Sequence, residues 1–430
     1  ILIALKRPFH KVMTGTLKPI LGYLMLAAGA GVIVSNLDPL GKMIEHGFHI
    51  TGVVPNNEAI VAVAQKVLGV ETMSILVVGL LMNLCIARFT KFKYVFLTGH
   101  HSLFMACLMS AVLGTAGLSG MELILVGGFL MGAWSAISPA IGQSYTSKVT
   151  DGDEIAIGHF GSLGYYLSAW VAQYVGKAED STEDIEIPEK WGFLRDSTLS
   201  TALTMIVFYL IAAIAAGSEF VSTLSGDMSP YLYAVMSAMN FAVGVTIVYS
   251  GVRMILGDLI PAFQGIATKI IPNAIPAVDC AVFFTYAPTA VVLGFLSSFI
   301  GGIIGMLILG AVGGVLIIPG LVPHFFCGAT AGIYGNATGG RRGAAVGAFL
   351  NGLAITFLPA MALPVLGQLG FQNTTFGDAD FAVMGLVLGN AYEWVGMAGI
   401  YGIVAIAALV LIIPNFIKTK GKVINYVEED

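Results

Sequence analysis

Apolar residues in this chain gather into long unbroken runs instead of the one-sided stripes of a water-soluble helix. Such runs occupy residues 16–35, 73–87, 94–114, 122–143, 199–217, 231–256, 285–318, 343–366 and 395–415. About 20 apolar residues suffice for a helix to cross a bilayer, and spanning backbone must satisfy its hydrogen bonds internally, so each run predicts a transmembrane helix. The run 285–318 has room for more than one crossing, and shorter apolar segments lie near 155–175 and 377–390. The pattern predicts about nine to eleven spans in an all-α polytopic membrane protein.

Residues 41–69 and 256–283 depart from this pattern. Both are amphipathic and interrupted by proline, Pro55 in the first and Pro261, Pro272 and Pro276 in the second. Broken or re-entrant backbone is tolerated at membrane depth only where protein buries it or a wet cavity meets it, so this pair predicts the substrate site.

The two stretches are counterparts, because the chain is written twice. Gly31-Val32 recurs as Gly251-Val252, Pro55-x-x-Glu58 as Pro276-x-x-Asp279, and Val126-Gly-Gly-Phe-Leu-Met-Gly132 as Val346-Gly-Ala-Phe-Leu-Asn-Gly352, at an offset of 220 to 221 residues. Basic loops do not recur at that offset: Arg88-Phe-Thr-Lys-Phe-Lys93 corresponds to the uncharged Ile308 to Gly313, and Arg341-Arg342 to Met121-Glu122. Since basic loops mark the cytoplasmic side, the halves are expected to be inverted relative to each other. Arg88 to Lys93, Arg341-Arg342 and Lys418-Thr-Lys420-Gly-Lys422 are then cytoplasmic.

Composition narrows the function class. The chain is 57% hydrophobic and 10% charged, against about 25% charged in a soluble domain, so lipid is its solvent. A net charge of -5 without a basic, aromatic-interleaved cluster excludes nucleic acid as a partner. Cys85, Cys107, Cys280 and Cys327 form no Cys-x-x-Cys pair, and no histidines stand at i, i+4 with a third ligand, so neither metal nor cofactor is expected. The chain opens on Ile1, and Ile1 to Leu5 is too short to cross a bilayer, which predicts a span upstream. Between the halves, residues 177–196 hold seven acidic residues beside Lys177, Lys190 and Arg195. That stretch reads as a solvated linker with a short surface helix, with a docking surface for a partner protein as the competing reading.

Ionisable residues at membrane depth are costly and are functional candidates by default. Glu58 and Asp279, each three residues after a proline and equivalent in the two halves, are the leading pair. An inverted repeat brings equivalent positions together, where two carboxylates accept hydrogen bonds from substrate hydroxyls; two acids capping helix starts is the alternative. His100, reached through Thr98-Gly99, and His159, after Ala156-Ile-Gly, sit at glycine-marked turns, and Phe325-Phe-Cys-Gly328 with Thr330 stands near the place equivalent to His100. A satisfied core histidine is the alternative for each. His10, His46, His49 and His101 are read as structural.

Thr98-Gly-His100, Val149-Thr-Asp-Gly152, Ile157-Gly-His159, Gly251-Val-Arg253, Ile275-Pro-Ala-Val-Asp-Cys280, Ala287-Pro-Thr-Ala-Val-Val292 and Pro319-Gly-Leu-Val-Pro323, in this order, resemble the membrane IIC component of the ascorbate family of bacterial phosphotransferase systems. The likeness spans nearly the whole chain. It implies a homodimer in the bacterial inner membrane, with a V-motif scaffold (1–40 and 197–255) holding the dimer and an elevator-type core domain (41–176 and 256–418) carrying substrate. It further implies soluble IIA and IIB partners, with IIB passing phosphate to the sugar bound in IIC. The family's pocket falls here on Asn57, Glu58, His100, Phe104, His159, Phe160 and Asp279. Tyrosine is usual in the family where Glu58 stands, and glutamine where Phe104 and Phe160 stand. The expected substrate is L-ascorbate or a closely related small sugar acid or polyol, bound by Asp279 and His159, either of which could act as base. The rival expectation is an ion-coupled secondary transporter of a small hydroxylated solute, with Glu58 and Asp279 as proton or sodium sites.

Overall fold

The computed structural model of the chain describes residues 8–49, 52–55, 57–152, 154–185, 197–269, 271–367 and 374–416, with the side chains of 58–59, 61–68, 255–269 and a few single positions left aside. In the first half, α1 (Phe9–Phe48) leads through β1 (Val54–Pro55) to α2 (Asn57–Phe89), then β2 (Tyr94–Phe96), α3 (Gly99–Thr115), α4 (Gly120–Thr150), β3 (Ala156–Ile157) and α5 (Ser162–Val175). The second half opens with α6 (Ser197–Ala216) and α7 (Ser218–Ser225), followed by α8 (Pro230–Lys269), β4 (Ile275–Val278) and a 3-10 turn, Cys280–Thr285. It continues through α9 (Pro288–Ala311), α10 (Leu321–Gly367), β5 (Thr374–Thr375), α11 (Ala379–Val395) and α12 (Met397–Phe416).

Among the described residues, seven helices are long and apolar enough to cross a membrane, or eight if the pair Thr201–Ala216 and Ser218–Ser225, bent by 116°, is one span. This is fewer than the apolar runs suggested, for local reasons. The run at 94–114 opens with β2, leaving α3 only 17 residues. The run at 285–318 holds the single helix α9 and then extended chain. Around 155–175 and 377–390, α5 and α11 have 14 and 17 residues. Proline breaks the chain between α1 and α2 and between α8 and the 3-10 turn as expected, yet α8 continues past Pro261.

The duplicated sequence has a counterpart in the elements. The helices α1 and α8 are each 40 residues long, and Phe9 and Pro230 stand 221 positions apart. Gly339 and Gly340 leave helical geometry inside α10, so its second segment begins at Arg341, 221 positions after the start of α4. The break has a steric cause. Gly340 has φ of +59°, and a Cβ there would lie 2.3 Å from the carbonyl oxygen of Lys177. Residues 177–185 of the linker are mostly exposed yet hydrogen-bonded to the second half: Arg341 N–H donates to Asp180 O (2.8 Å), and Asn336 Oδ1 accepts from Thr182 N–H (2.8 Å). Glu183 caps α9 by accepting from Thr289 N–H (3.0 Å) and Ala290 N–H (3.1 Å).

Strand pairing interlocks the halves. Strand β4 lies parallel between β2 and β3. Strand β1 lies parallel to β5 and is bridged on its other side to Ile317, through Val53 N–H to Leu316 O (2.8 Å) and Ile318 N–H to Val53 O (2.9 Å). Each half thus inserts the strand that follows its long helix between two extended segments of the other half. Pro276 is tolerated in a middle strand because Ile275 and Ala277 bond to β2, so the missing N–H faces the side where β3 has not yet begun. Sheet edges at membrane depth need partners. Asn83 of α2 supplies both for β2, donating to Tyr94 O (3.1 Å) and accepting from Phe96 N–H (3.0 Å), while Gln143 of α4 donates to Ile155 O (3.1 Å) beside β3.

Two groups of helices pack closely within themselves and share one apolar core, where Phe208 of α6 meets Phe295 and Phe299 of α9 and Phe241 of α8 meets Phe325 of α10. α1 runs along α8 at a close crossing, where a Cβ on Gly29 would lie 2.8 Å from Gly244 O, and α6 packs on both. The remaining helices pack among themselves, α2 with α3 and α4, and α10 with α5, α9 and α11.

Candidate functional site

Parallel strands present their carboxyl ends to a common locus, and helices start where strands end. Here β2 ends two residues before α3, β4 runs into Asp279 and the 3-10 turn, β3 runs into His159 and α5, and β5 into Asp378 and α11. Asn57, the first residue of α2, joins β1 to this locus by donating to Asp378 Oδ2 (2.6 Å) and accepting from Gly377 N–H (2.9 Å). The first turn of α10 closes it: a Cβ on Gly377 would lie 2.3 Å from Pro323.

Within this locus Asp279 Oδ1 caps the 3-10 turn by accepting from Ala281 N–H (3.2 Å), and Oδ2 lies 3.4 Å from His100 Nε2. The His100 side chain is 45% exposed and that of Asp279 15%, so this pair forms the open side of the site. His159 is buried, and its Nδ1 accepts from Gly161 N–H (3.1 Å) and meets Tyr165 Oη at 2.8 Å. A backbone N–H can only donate, so Nδ1 carries no proton and the proton of the neutral ring sits on Nε2. His101, read from sequence as structural, is part of this wall: its ring lies 3.7 Å from that of His159, and its Nδ1 accepts from Phe160 N–H (3.3 Å).

Phe160 is fully buried and stacks on Phe96 at 4.5 Å, while Phe104 stands 5.8 Å from His100 and 6.2 Å from Phe381, so both phenylalanines make the apolar side. Thr98 is buried with its hydroxyl unpartnered. Thr330 is buried too, but donates its hydroxyl to Phe326 O of its own helix (2.7 Å). The side chain of Glu58 lies outside the described residues, so its pairing with Asp279 stays an expectation.

Three further buried groups were not singled out from sequence. Asp380 accepts from Ser162 Oγ (2.8 Å), Leu163 N–H (2.9 Å) and Trp134 Nε1 (3.2 Å), which fixes the start of α5 against α11 and α4. Asp378 accepts from Asn57 and, on its other oxygen, from Cys327 Sγ (2.6 Å). Cys280 and Cys327, remote in sequence, both reach His159: ligand atoms of His159, Cys327 and Asp378, and likewise of His159, Asp279 and Cys280, lie within 4.8 Å of one another. These are ligand types of a zinc-class ion. In the structure they are used internally, since Cys327 donates to Asp378 and His159 Nδ1 takes two donors.

The arrangement suits a small hydroxylated molecule. Asp279 offers an acceptor, His100 and His159 offer ring nitrogens, and Phe104 and Phe160 offer apolar surface. The starts of α2, α3, α5, α10 and α11 bring the positive ends of helix dipoles to the same place, which favours a negative charge.

The chain is matched by a family model over residues 1–380, that of the PTS system sugar-specific permease component, EIIC-GAT. It is also similar to the ascorbate-specific PTS system EIIC component of Mycoplasma pneumoniae, 25% identical over 453 residues that cover 91% of this chain and 67% of that protein. With apolar helices that cross a membrane several times and a polar site enclosed between two interlocked halves, the chain belongs to the sugar-specific permease (EIIC) family of the phosphotransferase system.

Proposed function

We propose that this permease carries L-ascorbate or a closely related small sugar acid or polyol across the bacterial inner membrane, for phosphorylation by a separate IIB component that is recharged by IIA. The observation that carries the reading is the Asp279–His100 pair at the open side of a site built by both halves. His159, with its free proton on Nε2, donates to a substrate oxygen. Asp279 accepts from a hydroxyl and takes its proton as the phosphoryl group arrives. His100, beside Asp279, and the unpartnered Thr98 hydroxyl complete the polar contacts, and Glu58, the first half's sequence counterpart of Asp279, is the further acid of this reading. Phe104, Phe160 and Thr330 shape the remaining wall.

Two carboxylates near an anionic substrate would repel it unless offset. Each helix start contributes about 0.3–1 kcal/mol toward an anion, which offsets part of that repulsion for a sugar acid, while a neutral polyol meets none of it. The halves are an inverted repeat in this reading. The α1, α6 and α8 group (1–40 and 197–255) is the V-motif scaffold of a homodimer, and the rest of the chain (41–176 and 256–418) the elevator-type core. The mutual packing of α1, α6 and α8 supports that division.

Uptake into cells carrying this chain with its soluble partners should yield phosphorylated product and survive an uncoupler. Unmodified solute inside, with uptake collapsing alongside the ion gradient, would replace this reading with an ion-coupled transporter that uses Glu58 and Asp279 as ion sites.

A further inference from the structure

Asp378 is 3% exposed, yet its carboxylate holds donors from two distant parts of the chain: Asn57 Nδ2 at 2.6 Å on Oδ2 and Cys327 Sγ at 2.6 Å on Oδ1. Cys327 is fully buried, and its sulfur lies 3.5 Å from Tyr165 Oη. Tyr165, also fully buried, reaches His159 Nδ1 at 2.8 Å, and because Gly161 N–H already donates to that nitrogen, the phenol must donate as well. A continuous chain of contacts thus runs from the first turn of α2, through the β5–α11 turn and α10, to α5 and the β3–α5 turn. It ends on the imidazole that faces substrate.

We propose that Asp378 is a positioning residue that, acting through Cys327 and Tyr165, holds the His159 ring in place toward the substrate; this rests on the reading of the site as a sugar-acid pocket. Both oxygens of Asp378 accept, so the thiol proton of Cys327 is committed to the carboxylate and the Tyr165 proton is free to point at Nδ1. An asparagine at 378 has one acceptor and an NH₂, and whichever way it turns, that NH₂ opposes either Asn57 Nδ2 or the Cys327 thiol. A thiol without its acceptor turns toward Tyr165, and the phenol that backs the His159 ring loses its placement, while Gly161 N–H still sets the tautomer. Serine at 327 keeps a donor for Asp378; alanine does not.

The test compares uptake kinetics of wild type, Asp378→Asn, Cys327→Ser and Cys327→Ala, each normalised to protein in the membrane. Wild type comes first: if it does not take up and phosphorylate a sugar acid, the pocket reading fails and Asp378 is not at issue. Given active wild type, Asp378→Asn and Cys327→Ala should each raise KM by about tenfold with the maximal rate within about twofold, while Cys327→Ser stays near wild type. A merely structural role lowers the amount of folded protein without moving KM. Should Asp378→Asn fail to reach the membrane, the cysteine pair decides alone: equal KM values for Cys327→Ser and Cys327→Ala overturn the proposal, as does a wild-type KM for Asp378→Asn.

Discussion

Replacing Asp279 by asparagine should abolish uptake while leaving the amount of protein in the membrane unchanged. The two oxygens of this carboxylate do different work. Oδ1 caps the 3-10 turn through Ala281 N–H, and the amide oxygen of asparagine caps a helical start about as well as a carboxylate does, so the local fold survives. Oδ2 faces His100 Nε2 at 3.4 Å on the open side of the site. An NH₂ there can neither take a proton from a substrate hydroxyl nor accept from His100. Losing a positioned base costs about 10²–10⁴ in rate, which places the variant at or below background. The check is labelled uptake and product phosphorylation, normalised to membrane-inserted protein. Wild-type rates for Asp279→Asn would remove this residue from the mechanism.

Gly158→Val should be as damaging by a different route, because it separates β3 from β4. A Cβ on Gly158 would sit 2.3 Å from the carbonyl oxygen of Ala277 and 2.5 Å from its carbon. That backbone cannot retreat, since β4 is tied on its far side by Ile275 N–H to Lys93 O and Leu97 N–H to Ala277 O, both 2.9 Å. The β3 side must give way, taking with it the 2.7 Å bond from Gly158 N–H to Val278 O and the neighbouring His159. Overpacking of this kind costs about 1–3 kcal/mol, and the broken hydrogen bond about 1 more. Uptake is expected to vanish together with a lowered unfolding temperature of the detergent-purified protein, whereas Asp279→Asn leaves that temperature alone. A Gly158→Val protein with normal uptake and stability would mean that strand pairing does not frame the site.

The sequence reading reached some levels of this structure and not others, for physical reasons. Apolar runs report the solvent a helix meets, so the membrane class and most of the long helices were legible. They do not report where a run begins as strand, which is why β2 was absorbed into a predicted span. The duplication paired the proline-marked stretches 41–69 and 256–283, since an offset survives even where side chains diverge, and the helices do break within both. Asp279, His100 and His159 stood out because charge beside glycine or proline in an apolar segment is a local signal. Asp378 and Asp380 lie at the edge of a short apolar segment, as ordinary helix-capping acids do. Their partners, Asn57 at a separation of 321 residues and Trp134 at 246, are supplied by topology alone. The same holds for Cys327 and Tyr165, 162 residues apart, and for His101, whose burial against His159 depends on which face of α3 meets the β3–α5 turn. Asn83 and Gln143 carried a weak local signal, polar amides inside predicted spans, whose meaning appears only with the sheet edges they cover.

One measurement bears most directly on the whole account: a density map of the purified protein at high resolution with a bound sugar acid. The account predicts ligand density at the strand ends, with hydroxyls within hydrogen-bonding distance of Asp279 and an oxygen within reach of His159 Nε2. Density for the ligand elsewhere in the protein, with Asp279 and His159 making only the contacts they make now, would contradict it.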